Sequence, residues 1–456
     1  MKKVLVLFAV SVMSVSLMAA NDSTKHKSNW IMDHDSVMIA AHAVPADSNR
    51  SHLSSLSLSV EEAQEYAVRA NRSLRNSSLS VQQAYAQRWQ SIASMLPQVD
   101  MSWSYTNMMG YKMSFGQMEM EMPNTSSTTI SASVGINGQA IVGVLLQNLA
   151  IDMQRLSLEQ SEDNLRANVK TSYTSILVLQ DVVRLLDESL ANVNDIIAMT
   201  QRTVEFGVNE QTTADQIAIR ANTLKNNIMA QKRSIELATN SLKVLLDVPA
   251  ETQLTLTTSL DELLSGDEVL SLLGEDFVKE HNLSYRQLEK NFDIAKMNMH
   301  MAGWAYSPTV SFAYQHNEQK YYGEGGFRST PPNMINVAVS IPLWSSGKRA
   351  AGIVEKKIAL EQARNTLAET SDQLSIQYQQ LRFNLQNAYE TYLTEQENLK
   401  VADRVFKSVS NKYRFGTNSN LELVNASNDV ISAQSSYVQA VLTLINAEVE
   451  LDKFLK

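Results

Sequence analysis

Cysteine is absent from all 456 residues, which excludes a disulfide framework, thiol chemistry and a lipidated cysteine as an anchor. No excess of basic residues appears either. Lysine and arginine number 39 against 48 acidic residues, a net charge of −9, and they are scattered. A phosphate backbone needs a basic patch, so nucleic acid is not an expected partner. After the first 20 residues the longest apolar stretch is "AIVGVLLQNLAI" at 140–151, well short of the roughly 20 residues a spanning helix needs. If the chain enters a bilayer, strands must do it. Glycine-rich phosphate loops, zinc helix motifs and nucleophile elbows are missing too, and the carboxylates show no pairing in sequence, so no enzyme is indicated. Aromatic residues make up 7% and apolar residues 44%, a composition open to either a globular or an elongated chain.

The opening "MKKVLVLFAVSVMSVSLMAA" has two lysines, an apolar stretch and a small-residue end. It reads as a secretory signal at 1–20, cut near Ala20, so the mature chain is expected beyond the inner membrane. A polar segment follows at 21–58 with His26, His34, His42 and His52. It is read as a tail rather than as a metal site.

Two stretches then recur. "LPQVDMSWSY" at 96–105 returns as "YSPTVSFAY" at 306–314, setting Pro97 against Pro308 at an offset of 211, the offset that also pairs Asn71 with Asn282. "RTVEFGVN" and "NKYRFGTN" pair Gly207 with Gly416 at 209. The chain is therefore two copies of one unit: 59–248 with a hairpin at about 97–140, a linker at 249–268, and 269–456 with a hairpin at about 308–344. Each copy reads as helix, strand, loop, strand, long helix, turn, helix. The spacing predicts helices over 60–95, 143–206 and 210–247, then 270–306, 347–415 and 419–455.

The long helices carry seams. Ile176, Leu179, Val183, Leu186, Leu190, Val193 and Ile197 alternate by three and four; Leu381, Leu385, Ala388, Tyr392, Leu399, Ala402, Phe406, Val409 and Tyr413 do so in the second copy. That spacing faces another helix lengthwise, in a coiled coil or a bundle core. A helix of about 65 residues is on the order of 100 Å long, roughly matched by the two shorter helices of each copy stacked end to end.

The segments between the helices alternate with period two. Val99, Met101, Trp103 and Tyr105 face one way, as do Ile130, Ala132, Val134 and Ile136; the second copy offers Val310, Phe312 and Tyr314, then Ile335, Val337, Val339 and Ile341. Small polar residues lie between. A half-buried soluble sheet has this pattern, but four such strands in an exported chain, with Trp and Tyr at their ends, fit a transmembrane barrel. Met101, Trp103, Tyr105, Val134, Phe312, Tyr314, Val337 and Val339 are the expected lipid-facing residues. The smallest closed membrane barrels have about eight strands, so several copies must share one.

At this point the mature chain resembles the TolC-type outer-membrane factor family. The residues that carry the likeness are "VSIPLWSSGKRA" at 339–350, the proline-started strands at Pro97 and Pro308, and the hairpin turn "NKYRFGTNSNLELVNAS" at 411–427. The resemblance implies a mostly α fold with a small β part: a long periplasmic α-helical coiled-coil barrel joined to a transmembrane β-barrel of four strands per protomer and twelve per trimer. It implies a passive channel of a tripartite efflux or type I secretion system in the outer membrane, in contact with outer-membrane lipid, a periplasmic adaptor and an inner-membrane pump. A non-conducting periplasmic coiled-coil scaffold or adhesin is the alternative. The resemblance further implies a periplasmic gate. Tyr413 matches the family tyrosine, Glu422 replaces an aspartate, Asn418 stands at the arginine position, Asn425 at a second aspartate, and Thr213 at a frequent acid, with Asp215 two residues on. These departures fall on the salt-bridge chemistry rather than on the gate's position, and Tyr413 also ends a heptad seam. Gly207 and Gly416 mark the helix-turn tips, where adaptor or pump would dock.

No cofactor is expected. "NMMGYKMSFGQMEMEMP" at 107–123 holds six methionines, and "KMNMHM" adds Met297, Met299 and Met301 beside His300. Thioethers are Cu(I) ligands, yet methionine is also a flexible apolar filler, and the second reading is taken for both segments.

Overall fold

The computed structural model describes residues 54–456 apart from 117, 208–209, 265 and 323–330. The signal segment and the histidines at 26, 34, 42 and 52 lie outside the described residues. In the first copy, β1 (Ser55–Leu58), α1 (Val60–Ala70) and α2 (Arg72–Ala93) precede β2 (Gln98–Thr106). A small hairpin, β3 (Lys112–Phe115) and β4 (Met118–Glu121), leads to β5 (Asn124–Ile136), α3 (Gly138–Glu205) and α4 (Gln211–Leu246). The junction holds β6 (Gln253–Leu256), α5 (Leu260–Leu263) and α6 (Gly266–Gly274). The second copy runs α7 (Leu283–Gly303), β7 (Thr309–Tyr322), β8 (Asn333–Ser340), α8 (Lys348–Arg414) and α9 (Asn420–Leu455).

One pair of asparagines shows how the duplication works. Asn71 ends α1 and caps α2, its side-chain oxygen accepting from the amides of Ser73 and Leu74, while its Nδ2 donates to Leu245 O at 2.9 Å. Asn282 repeats every contact: it caps α7 through Ser284 and Tyr285 and donates to Phe454 O at 2.8 Å. Each thereby pins the start of a helix to the last turn of its own copy. The same caps correct the continuous helices expected over 60–95 and 270–306. Apolar spacing runs through both positions, but the cap residue takes extended backbone and starts a new helix. In the second copy residues 275–282 also separate α6 from α7.

The expected linker has structure of its own. Its "QLTL" pairs in parallel with "SLSL" of β1, Leu56 opposite Leu254 and Leu58 opposite Leu256. Tyr173, fully buried in α3, donates to Leu58 O and accepts from the Thr258 amide, tying this two-stranded sheet to the long helix.

Helices α3 and α8 contain 68 and 67 residues, about 100 Å each at 1.5 Å per residue. Helix α3 packs against α2 and then α4 on one side, and against α7 and then α9 on the other; α8 lies beyond α7 and α9. The seams interlock as the heptads require: Leu186, Val193 and Ile196 of α3 meet Ile217, Leu224 and Ile228 of α4, Phe406 of α8 and Leu423 and Val430 of α9 in one cluster. This layering leaves two flanks, α2 with α4 on one and α8 on the other.

Candidate functional site

Strands β2, β5, β7 and β8 form one antiparallel sheet in the order β2-β5-β7-β8. Directly opposite residues share a face, and the register lines up the apolar set across all four strands. Val99 opposes Ala132, which opposes Tyr314, which opposes Ile335; Val134 opposes Phe312, which opposes Val337; Ile136 opposes Val310, which opposes Val339. Met101 opposes Ile130, and Trp103 and Tyr105 continue the same face towards the hairpin end, where it turns polar with His316, Glu318 and Lys320 of β7. The other face carries Asp100, Ser102, Ser104, Ser131, Ser133, Gln315, Asn317 and Asn336, with Ser127 donating to Asn317 at 2.8 Å. From Ile335 to Ile341 the apolar run spans ~20 Å at about 3.4 Å per residue.

Polar aromatic groups fringe this band. Towards the hairpin end, Trp103 Nε1 donates to Ser126, Tyr105 meets Tyr322 edge-on, and Asn333 Oδ1 accepts from Tyr314 and lies 2.8 Å from His316 Nδ1. Trp304, Tyr306 and Trp344 stand exposed at the helix end. The outer edges of β2 and β8 pair with no other strand among the described residues. The helical flanks below them are apolar too: Ile219, Leu237 and Val244 stand exposed on α4, and Ile358, Ile376 and Phe383 on α8.

At the far end of the long helices, Gly207 and Gly416 adopt φ of +72° and +70°. The Gly416 amide donates to Tyr413 O and the Thr417 amide to Lys412 O, the paired bonds of a Schellman stop. Gly207 makes the matching bond to Val204 O. Phe206 and Phe415 project at these turns, 82% and 84% exposed.

The gate candidates sit around this end. Tyr413 OH lies 3.0 Å from Thr200 Oγ1 in α3; because Thr200 gives its proton to Ile196 O, the phenol is the donor. Tyr413 packs on the seam cluster as well. Glu422 is exposed in the first turn of α9, where its backbone amide donates to Ser419 Oγ. Asn425 is exposed and Asn418 half-buried. Asp215 accepts from Gln211 at 2.9 Å, and Thr213 lies in the same first turn of α4. Two further cross-helix polar contacts are made by residues the sequence reading passed over: Arg414 with Asp195 at 3.8 Å, and Arg220 with Asn428. Arg414 is the neighbour of Tyr413 in a stretch already singled out, but Asp195 lies on another helix, and no spacing links them.

A buried charge cluster was also missed. Lys170 of α3 bonds Glu448 of α9 at 2.6 Å and Glu268 of α6 at 3.1 Å, with Glu448 only 2% exposed. Burial alone would lower the lysine pKa, but the two carboxylates outweigh it and raise it above the usual range. The remaining methionine candidates do not converge. Along α7, Met297 and Met301 share a face as an i, i+4 pair, while Met299 lies about 200° round the helix from Met297.

A sequence model of outer membrane efflux proteins matches residues 64–247 and 278–455, most of the chain and both copies. The chain belongs to that family. The probable efflux pump outer membrane protein TtgC of Pseudomonas putida is 23% identical over 313 residues, which cover 66% of this chain and 63% of TtgC. The chain therefore spans less than two thirds of that relative's length. Among solved structures, CusC superposes with a TM-score of 0.70 at 18% identity, covering 87% of this chain and 91% of CusC. The open-state MtrE outer membrane channel of Neisseria gonorrhoeae gives 0.68 at 16%, covering 87% and 88%. The fold of this efflux-family member is thus a helical barrel segment with a small β part, and none of these relatives is described as an enzyme.

Proposed function

We propose that this protein is a passive outer-membrane export conduit that works as a homotrimer, twelve strands closing one barrel and the helices continuing it as a periplasmic tunnel. One observation carries the reading: a single sheet has an apolar band on one face and two edges unpaired among the described residues, while α4 and α8 carry exposed apolar residues of their own. An open edge in lipid leaves backbone groups without partners. Joining β2, α2 and α4 of one copy to β8 and α8 of the next removes edge and apolar exposure together. The polar sheet face then lines the lumen. The contact is head-to-tail, so it must close into a ring; three copies are what the family likeness implies.

The helix tips, with Phe206 and Phe415 projecting, are the surface offered to a periplasmic adaptor and, through it, an inner-membrane pump. Energy and substrate choice belong to that pump. The efflux-pump name of TtgC favours efflux over protein secretion. The test is purification from outer membranes into detergent, mass measurement, and recording in planar bilayers. A particle of three chains with discrete ion conductance is expected. A water-soluble monomer without conductance would instead support a periplasmic scaffold.

A further inference from the structure

The chain has 20 methionines, and six fall within the 17 residues from Asn107 to Pro123. They sit in the β3–β4 hairpin and the turn before it, inserted between β2 and β5 at the end of the sheet away from the helices. The usual reason for methionine is to fill an irregular core. Here that role is not met: among the described residues Met108, Met109, Met113, Met120 and Met122 belong to none of the buried clusters, and the hairpin packs chiefly on itself.

What the hairpin does is sort its side chains. Met113 pairs directly with Met120, and the Met122 amide donates to Tyr111 O, one step further along the ladder. Opposite and alternate residues share a face, so Met113, Met120 and Met122 stand together. Lys112, Ser114, Glu119 and Glu121 take the other face, where Lys112 and Glu119 approach to 3.8 Å. The thioether face is half-buried while the charged face is exposed. A tight turn reinforces the cluster. The Tyr111 amide donates to Met108 O across Met109 and Gly110, both left-handed at φ +51° and +73°. Asparagine or glycine ordinarily fills the first of those positions; here Met109 does, and Met108 is brought beside the Tyr111–Met122 rung.

We propose that this face is a site for a soft monovalent cation, Cu(I) or Ag(I), held by the thioethers of Met113, Met120 and Met122. Cross-strand Cβ atoms are about 5 Å apart, and three rotatable bonds let each sulfur turn inward to a common ion. Thioethers select soft cations over Mg²⁺, Ca²⁺ and Zn²⁺. The site lies within one protomer and needs neither trimer nor channel.

Silver is the better probe, because it needs no reductant and the protein has no cysteine to compete. The full-length protein in detergent is loaded with silver nitrate in chloride-free buffer, desalted, and its silver counted by mass spectrometry. The comparison is Met113→Leu/Met120→Leu/Met122→Leu, which keeps apolar volume and removes sulfur. Wild type should hold one silver ion per protomer that this variant lacks, whereas Met297→Leu/Met299→Leu/Met301→Leu should hold as much as wild type. Silver should also shield Met113, Met120 and Met122 of the unmutated protein from peroxide oxidation, a readout that needs no variant. Equal silver in the leucine variant, or no selective shielding at these three positions, overturns the site.

Discussion

Lys170 and Glu448 show what a single pair does between packed helices. Glu448 is sealed between elements of both copies, and its charge is tolerated because Lys170 meets it at 2.6 Å. Lys170→Met leaves that carboxylate buried without a partner, at an expected cost of about 3 kcal/mol. The double variant Lys170→Met/Glu448→Met should recover most of it, because neither charge then has to be desolvated. Chemical unfolding of the three proteins checks the order. The pH sign follows from the raised lysine pKa. The folded state holds the ammonium more tightly than the unfolded chain does, so this stabilisation is complete below pH 10.5 and is lost as pH rises through the higher folded value. Wild type should lose its margin over Lys170→Met in that alkaline window. Tyr413 is a second local case. Tyr413→Phe removes its bond to Thr200 and should cost about 1 kcal/mol. If the tip is a gate, the same change also raises open probability in bilayer recordings.

At the scale of elements, the two glycine stops and the sheet faces give separable tests. A Cβ at Gly416 or Gly207 meets nothing within 4 Å, so alanine there is opposed by the left-handed backbone alone. Each substitution should cost about 1–2 kcal/mol. Faster amide exchange confined to that helix turn would register it. Across β8, Val337 lies on the apolar face and Ala338 on the other. Val337→Lys should cost about 2–4 kcal/mol if the first face meets lipid, and Ala338→Lys far less; the yield of assembled protein in outer membranes reports the contrast. The strands and their faces were legible in sequence because side chains alternate whatever the fold. The repeat was legible because Pro97 and Pro308, like Asn71 and Asn282, recur at one offset. The breaks at those asparagines were not, since apolar spacing continues across them and only the cap geometry shows a new helix. Strands β1 and β6 escaped because four residues near 56 and four near 254 become a sheet only once the junction folds back. The Thr200–Tyr413 and Lys170–Glu448 contacts escaped for the same reason: their partners are neighbours in space and far apart in the chain.

The layered helices of the described residues leave two outer flanks. Helix α8 carries exposed apolar residues and β8 an edge without a strand partner among the described residues, and α2, α4 and β2 do likewise. Nothing within one chain covers either flank among the described residues. The proposed ring of copies would cover both, and the account stands on that closure. The measurement that tests it most directly is cross-linking in intact outer membranes, made clean by the absence of native cysteine. One cysteine is placed in β2, at Val99, Met101 or Trp103, and one in β8, at Ile335, Val337 or Val339, and the combinations are oxidised. The account predicts that at least one combination yields disulfide-linked dimers and trimers and nothing larger. No linked species in any combination, or a ladder running past three, would contradict it.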